Sequence, residues 1–213
     1  MKEPFAASPQ VLLANGATFK DGQRLNGASA FLVEAAGRRY AVTARHLLGP
    51  DGGIEPPKTR SALNGEVSSW KLFARAHAPD TVVLGGLLNS ADADSSDALL
   101  FAIDQKPAPY QALTPRFDAP DVSEQVYLIG CPYAEPGCTQ NRYPVRVAEV
   151  SATEYYLEEN AQPDLAGFSG CPVVDQNGLV IGLLTGSVQY EDGRKYTSIT
   201  PIKAIEPYLG RRK

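Results

Sequence analysis

An all-β fold, arranged as two β-domains packed together, is predicted by three features of the sequence. Short apolar runs rich in β-branched residues alternate with Gly, Asn and Asp punctuation along most of the chain. Only the tail, PIKAIEPYLGRRK, spaces its apolar residues near i, i+3 and i+7 as a helix would. Near mid-chain, 105-QKPAPYQALTPRFDAP-120 carries four prolines and almost no strand pattern, so it is expected to be an extended connector. The boundaries that follow are 10–104 for the first β-domain, 105–120 for the connector and 121–213 for the second domain with a short C-terminal helix.

SAFLVEAAGRRYAVTARH predicts a hairpin, with runs 29–34 and 39–44 joined through Ala-Gly. Further strands are expected at 69–74 (SWKLFA), 81–87 (TVVLGGL) and 98–103 (ALLFAI). Beyond the connector they fall at 125–130, 144–150, 153–158, 172–175, 179–185 and 195–200, with the turn QNG at 176–178. The loops 49-GPDGGIEPPK-58 and 91-ADADSSD-97 are expected to be surface excursions.

Composition narrows the function classes. Apolar residues make up 43% and charged residues 21% of 213, an ordinary globular balance. Twenty basic and 24 acidic side chains leave a net charge of -4, which offers no electrostatic reason for a nucleic acid or anionic membrane partner. No apolar run approaches the roughly 20 residues that cross a bilayer. The N-terminus MKEPFAASPQVLLANG shows no signal-peptide pattern, which implies a cytoplasmic location if the sequence is complete. Cys131 and Cys138 bracket PYAEPG and would close a small disulfide loop in an oxidising compartment, but two unrelated thiols is the preferred reading. No CxxC pair or HExxH is present, so no metal site is expected.

The stretch 167-GFSGCP-172 places one serine between two glycines. A serine there is either an ordinary turn residue or a nucleophile, and a nucleophile needs a base and a group to orient that base. The chain has two histidines. His46 ends the strand-like run 41-AVTARHLL-48, whereas His77 lies in polar company and is expected at the surface. Chain order removes alternatives. An α/β-hydrolase needs a histidine after its serine and a glycine where Cys171 stands, and a papain-type enzyme needs a histidine after its cysteine. A subtilisin order would rest on Asp21, the one aspartate before His46, in an ordinary KDGQ turn. His, Asp, Ser is the order that remains. The acid is expected to be Asp97, at the mouth of the apolar run DALLFAID, with Asp94 as runner-up.

These motifs resemble the chymotrypsin-like (trypsin-fold) serine peptidases, especially the bacterial branch that includes the HtrA-like proteases. The resemblance lies in 27-GASAFLV-33 with 42-VTARH-46, in 97-DALLFAI-103, in 167-GFSGCPVVDQNGLVIGLL-184 and in 199-ITPI-202. It implies two six-stranded antiparallel β-barrels with the site in the cleft between them. It also implies His46 as general base, Asp97 as its orienter, Ser169 as nucleophile, and the N–H groups of Gly167 and Ser169 as an oxyanion hole. Thr185 resembles the family hydroxyl that bonds the buried aspartate. Thr185, Gly186 and Ser187 would edge the cleft where a protein or peptide substrate lies extended. No cofactor is implied, and a regulatory protein partner is left open.

Three departures from the family pattern carry expectations. Phe168 replaces the aspartate that pairs with a new N-terminus in digestive members, so the loop is expected to be held by ring packing instead. Cys171 replaces a glycine. Arg45 precedes the histidine where a small residue is usual, and it matters only if its guanidinium lies beside His46. Arg194 and Lys195, before the last strand, would make a basic pocket favouring acidic P1 residues or lie at the surface; the surface is the expected place. An inactive peptide-binding scaffold and an esterase remain alternative functions.

Overall fold

The structure, a computed structural model, describes residues 3–4, 9–75, 77–103, 110–158 and 164–210. Fourteen strands are present among them. The first, β1 (Glu3–Pro4), is a two-residue strand lying on the second half of the molecule.

The first half closes on itself. Its six long strands are β2 (Leu13–Phe19), β3 (Arg24–Ala35), β4 (Arg38–Ala44), β5 (Val67–Ala74), β6 (His77–Leu87) and β7 (Ala98–Ile103). They pair antiparallel in the order β2-β5-β6-β7-β4-β3, and β3 pairs back to β2. A short β8 (Ala112–Leu113) lies parallel to β3. Closure removes the free edges that an open sheet would expose. Inside, Trp70 packs between Phe19 and Phe101, with ring centroids 6.3 and 4.7 Å away.

The second half repeats the plan with β9 (Gln125–Gly130), β10 (Asn141–Val150), β11 (Tyr155–Glu158), β12 (Pro172–Val174), β13 (Val180–Gln189) and β14 (Lys195–Pro201). Their order is β10-β11-β14-β13-β12-β9, closed by β9 on β10. Two six-stranded antiparallel barrels are therefore the architecture, as expected. The turn at 176–178 forms, with Asn177 N–H and Leu179 N–H both donating to Asp175 Oδ1. Residues 105–109 of the expected connector lie outside the described residues. Its remainder runs from one barrel to the other, from β8 to a bridge between Pro115 and Val180.

The differences from expectation have physical causes. β2 was not anticipated, because its Asn15-Gly16 pair is the usual mark of a turn. In the fold Asn15 is fully buried and satisfies three partners instead. Its Nδ2 donates to Ser29 O and Thr43 Oγ1, and its Oδ1 accepts from Trp70 Nε1. Helix α1 (Arg60–Glu66) is also unanticipated; Thr59 Oγ1 caps it by accepting from Ala62 N–H. The C-terminal helix is a 3-10 helix, Ile202–Tyr208, with Pro207 inside it.

Candidate active site

Strand pairing brings two of the proposed site residues together. Ala44, the last residue of β4, pairs with Ala98, the first of β7. His46 lies two residues past the one, and Asp97 one residue before the other. A 3-10 turn over Arg45–Leu48 folds His46 back over this end of the barrel. Asp97 Oδ2 lies 2.7 Å from His46 Nδ1, and Oδ1 accepts the His46 backbone N–H at 2.8 Å. A carboxylate at Nδ1 places the ring proton there and leaves Nε2 as the basic nitrogen. Both side chains are about four-fifths shielded, at 19% and 23% exposure. Arg45 is exposed; its backbone N–H donates to Asp97 O at 3.3 Å. The side chain of His77 lies outside the described residues.

A buried arginine that the sequence did not single out holds the Asp97 segment. Arg60, 2% exposed, donates to Ala98 O at 2.8 Å and Asn89 O at 3.3 Å, and also to Ser96 O. Asn89, fully buried, donates to Ala98 O at 2.8 Å and to Asp94 at 3.1 Å. Asp94 faces Arg60 at 3.8 Å and accepts from Ser96 N–H and Tyr208 Oη. Burial opposes its charge, but the hydrogen bonds from Ser96 and the nearby Arg60 outweigh it and hold the carboxyl below the usual range. Asp94 is thus a structural partner of Arg60. The 91–97 loop lies at the surface, as expected, and is pinned there through Asp94. Only a tertiary contact reveals this, since an arginine in a polar segment is ordinarily a surface residue.

Ser169 sits in the second barrel on a tight turn. Phe168 N–H donates to Leu165 O, Cys171 N–H to Phe168 O and Gly170 N–H to Leu184 O, at 2.7–2.9 Å. Two bonds tie this turn to the first barrel: Ser29 N–H to Ser169 O and Ser29 Oγ to Gly167 O, both 2.8 Å. Gly170 has φ +84, and a Cβ there would stand 2.2 Å from Ser29 O and 3.1 Å from Ala44 N. The serine turn is therefore pressed against β3 and the end of β4, two residues before His46. Among the described residues, no hydrogen bond joins Ser169 to His46, and the N–H groups of Gly167 and Ser169 have no protein acceptor. Such hydrogen bonds are often long or misaligned before substrate arrives.

Phe168 is fully buried, its ring 5.6 Å from that of Tyr143 and against Gly130, where a Cβ would meet it at 2.1 Å. Ring packing holds the turn, as the replaced aspartate suggested. Thr185, Gly186 and Ser187 lie on β13 at a register shift opposite β14. Thr185 Oγ1 donates to Ser198 O at 3.4 Å and accepts from Thr200 Oγ1 at 3.3 Å; among the described residues it does not bond Asp97. Asp97 and Thr185 instead line one open cavity of about 650 Å³, with Asp94, Glu154, Ser198 and Lys203 also on its wall. Glu154 accepts from Ser198 Oγ and from Tyr156 Oη, which pushes the Tyr156 phenol up to about 12. Arg194 is exposed and pairs with Asp192 at 2.7 Å, and Lys195 is exposed.

Cys131 and Cys138, read from sequence as separate thiols, are joined, with Cα atoms 5.8 Å apart. Cys171 is free and buried, and burial pushes its thiol up. Among the described residues no group of three or more His, Cys, Asp or Glu side chains could hold a metal ion, and no helix is long and apolar enough to cross a membrane.

No curated protein matches the chain. Solved structures do. The active form of the Rv3671c protease from M. tuberculosis aligns over 98% of this chain and 84% of its own, with TM-score 0.63 and 15% identity. A serine-to-alanine variant of an HtrA-type protease, AlgW, solved with a tripeptide, aligns over 92% of this chain and 57% of its own, with TM-score 0.58 and 20% identity. The trypsin-like peptidase domain family matches residues 28–183, which span the His46, Asp97 and Ser169 segments. On that match, and with the paired barrels around the cleft, the chain belongs to the trypsin-like peptidase family.

Proposed function

We propose that the protein is a serine endopeptidase acting through His46, Asp97 and Ser169. The observation that carries this reading is the double engagement of Asp97 with His46, at 2.7 and 2.8 Å, beside a serine turn bonded across the cleft. In the reaction, Ser169 Oγ attacks the scissile carbonyl carbon while His46 Nε2 accepts its proton. Asp97 stabilises the imidazolium and keeps the ring oriented. The carbonyl oxygen becomes an oxyanion that the Gly167 and Ser169 N–H groups stabilise, and losing one such donor costs roughly 100- to 1,000-fold in rate. Collapse breaks the C–N bond, and the amine leaves with the proton from His46. Water, deprotonated by His46, then hydrolyses the acyl-enzyme ester and restores Ser169. The peptide lies extended along Thr185, Gly186 and Ser187, where strand addition supplies main-chain bonds. The chemistry needs water and no cofactor.

An inactive peptide-binding scaffold is the second reading, favoured by the missing Ser169–His46 hydrogen bond. A fluorophosphonate probe separates the two. Labelling of the folded protein at Ser169, lost in Ser169→Ala, supports the peptidase; folded protein that does not label is a scaffold. Comparing peptide with ester turnover distinguishes a peptidase from an esterase.

A further inference from the structure

Tyr133 is 48% exposed, yet it touches both barrels beside the serine turn. It lies within the loop that the Cys131–Cys138 disulfide closes. Its ring rests where Gly167 and Gly27 lack side chains: a Cβ on Gly167 would come within 2.8 Å of the ring, and one on Gly27 within 2.6 Å of the hydroxyl. The hydroxyl accepts the Ala28 N–H at 2.5 Å. Ala28 is a non-glycine residue at φ 50, a conformation that persists only where neighbours enforce it. On the outer side, Arg75 lies 5.2 Å from the ring centre and donates to Cys131 O at 2.9 Å.

The backbone of Tyr133 supplies the decisive contact. Its N–H donates to Ala166 O at 3.1 Å. A trans peptide is planar, with its C=O and N–H pointing to opposite sides. Fixing Ala166 O therefore fixes the Gly167 N–H to face away from Tyr133. The next carbonyl, Gly167 O, is held by Ser29 Oγ at 2.8 Å. Both peptides around residue 167 are thus clamped, one by Tyr133 and one by Ser29, while the Gly167 N–H has no acceptor among the described residues.

We infer that Tyr133 is the positioning residue of the oxyanion site: ring and hydroxyl seat it between the barrels so that its N–H sets the direction of the Gly167 N–H. The disulfide-closed loop is its brace. The inference rests on the serine peptidase reading above and adds to it a residue that touches no substrate. Because the clamp acts on the oxyanion, its loss lowers kcat and leaves KM in place.

The test compares wild type, Tyr133→Ala and Tyr133→Phe on one peptide substrate, with active sites counted by fluorophosphonate titration. Tyr133→Ala is expected to lose about 10- to 100-fold in kcat per active site, short of the full loss of an oxyanion donor, with KM within about twofold. Tyr133→Phe keeps the ring in its slot and is expected to recover most of that loss. A crystal structure of Tyr133→Ala should show the Ala166–Gly167 peptide rotated. An alanine variant with wild-type kcat, a phenylalanine variant as slow as the alanine one, or an unrotated peptide would each overturn the inference. Should wild type itself fail to label at Ser169, the peptidase reading falls separately, and the peptide orientation in the Tyr133→Ala crystal still decides the positioning role.

Discussion

Arg60→Met removes the group that anchors the Asp97 segment while keeping an apolar stem of similar length. Arg60 donates to Ala98 O, Asn89 O and Ser96 O and faces Asp94 at 3.8 Å. Ala98 O keeps the Asn89 amide at 2.8 Å, and Asp94 keeps Asn89, Ser96 and Tyr208. Asn89 O and Ser96 O lose the donor shown here. Hydrogen bonds from a charged donor contribute about 1.5–3 kcal/mol each. Opposing this, burying the guanidinium has its own cost, and Arg60 Nε has no partner among the described residues. The balance predicts a loss of about 3–5 kcal/mol, the range for breaking one side of a buried ion pair. For a chain of this size that lowers Tm by roughly 6–20 °C. Arg60→Lys keeps the charge but not the planar fork, so it should recover only part of the loss. On the role proposed for Asp97, activity should suffer too, because Ala98 adjoins it and a shift of about 1 Å at a catalytic group can cost about 100-fold. Thermal and urea unfolding, together with kcat on the remaining folded protein, measure both effects. A Tm shift below about 3 °C with unchanged kcat would refute the anchoring role.

Gly170→Ala should be more severe than its single methyl suggests. The residue must hold φ +84, which costs a non-glycine about 1–2 kcal/mol, and its Cβ would stand 2.2 Å from Ser29 O. Little folded protein, or folded protein without fluorophosphonate labelling, is expected; full labelling at wild-type Tm would contradict the geometry. Asp94 predicts a pH effect. Its carboxyl titrates below the ordinary 3.8, so the stability it contributes is present above that value and is lost as pH falls through the lower folded one. Wild type should therefore lose its Tm advantage over Asp94→Asn as pH is taken from above the ordinary carboxyl value to well below it, and a constant difference would sink the idea. Cys171, fully buried with its thiol pushed up, should ignore a thiol reagent at neutral pH until the protein is unfolded, when one thiol reacts. Prompt reaction of native protein would show that the turn opens readily.

The legible parts of this molecule were those set by local pattern. The β3–β4 hairpin, the apolar run of β7 and the turn after β12 all follow from alternation and turn residues close in sequence. What was missed depends on partners far away. Asn15-Gly16 carries a turn signature that three buried hydrogen bonds overrule. Arg60 looks like any exposed arginine until the 94–98 segment folds over it. The thiols of Cys131 and Cys138 meet because the loop between them folds back, which their spacing alone does not decide. His46 and Asp97 could be proposed from their places at the ends of apolar runs. That they touch follows from the pairing of Ala44 with Ala98, a register no local pattern specifies.

The bonds from Ser29 to Ser169 and Gly167 cross from one closed sheet to the other. Each ring of strands keeps a ladder of its own, but the serine turn draws two of its bonds from the other half. A slight parting of the two halves would therefore loosen the setting of Ser169 while spectroscopic β-content stays whole. Labelling at Ser169, followed beside circular dichroism, would then gauge docking of the halves separately from the melting of either one.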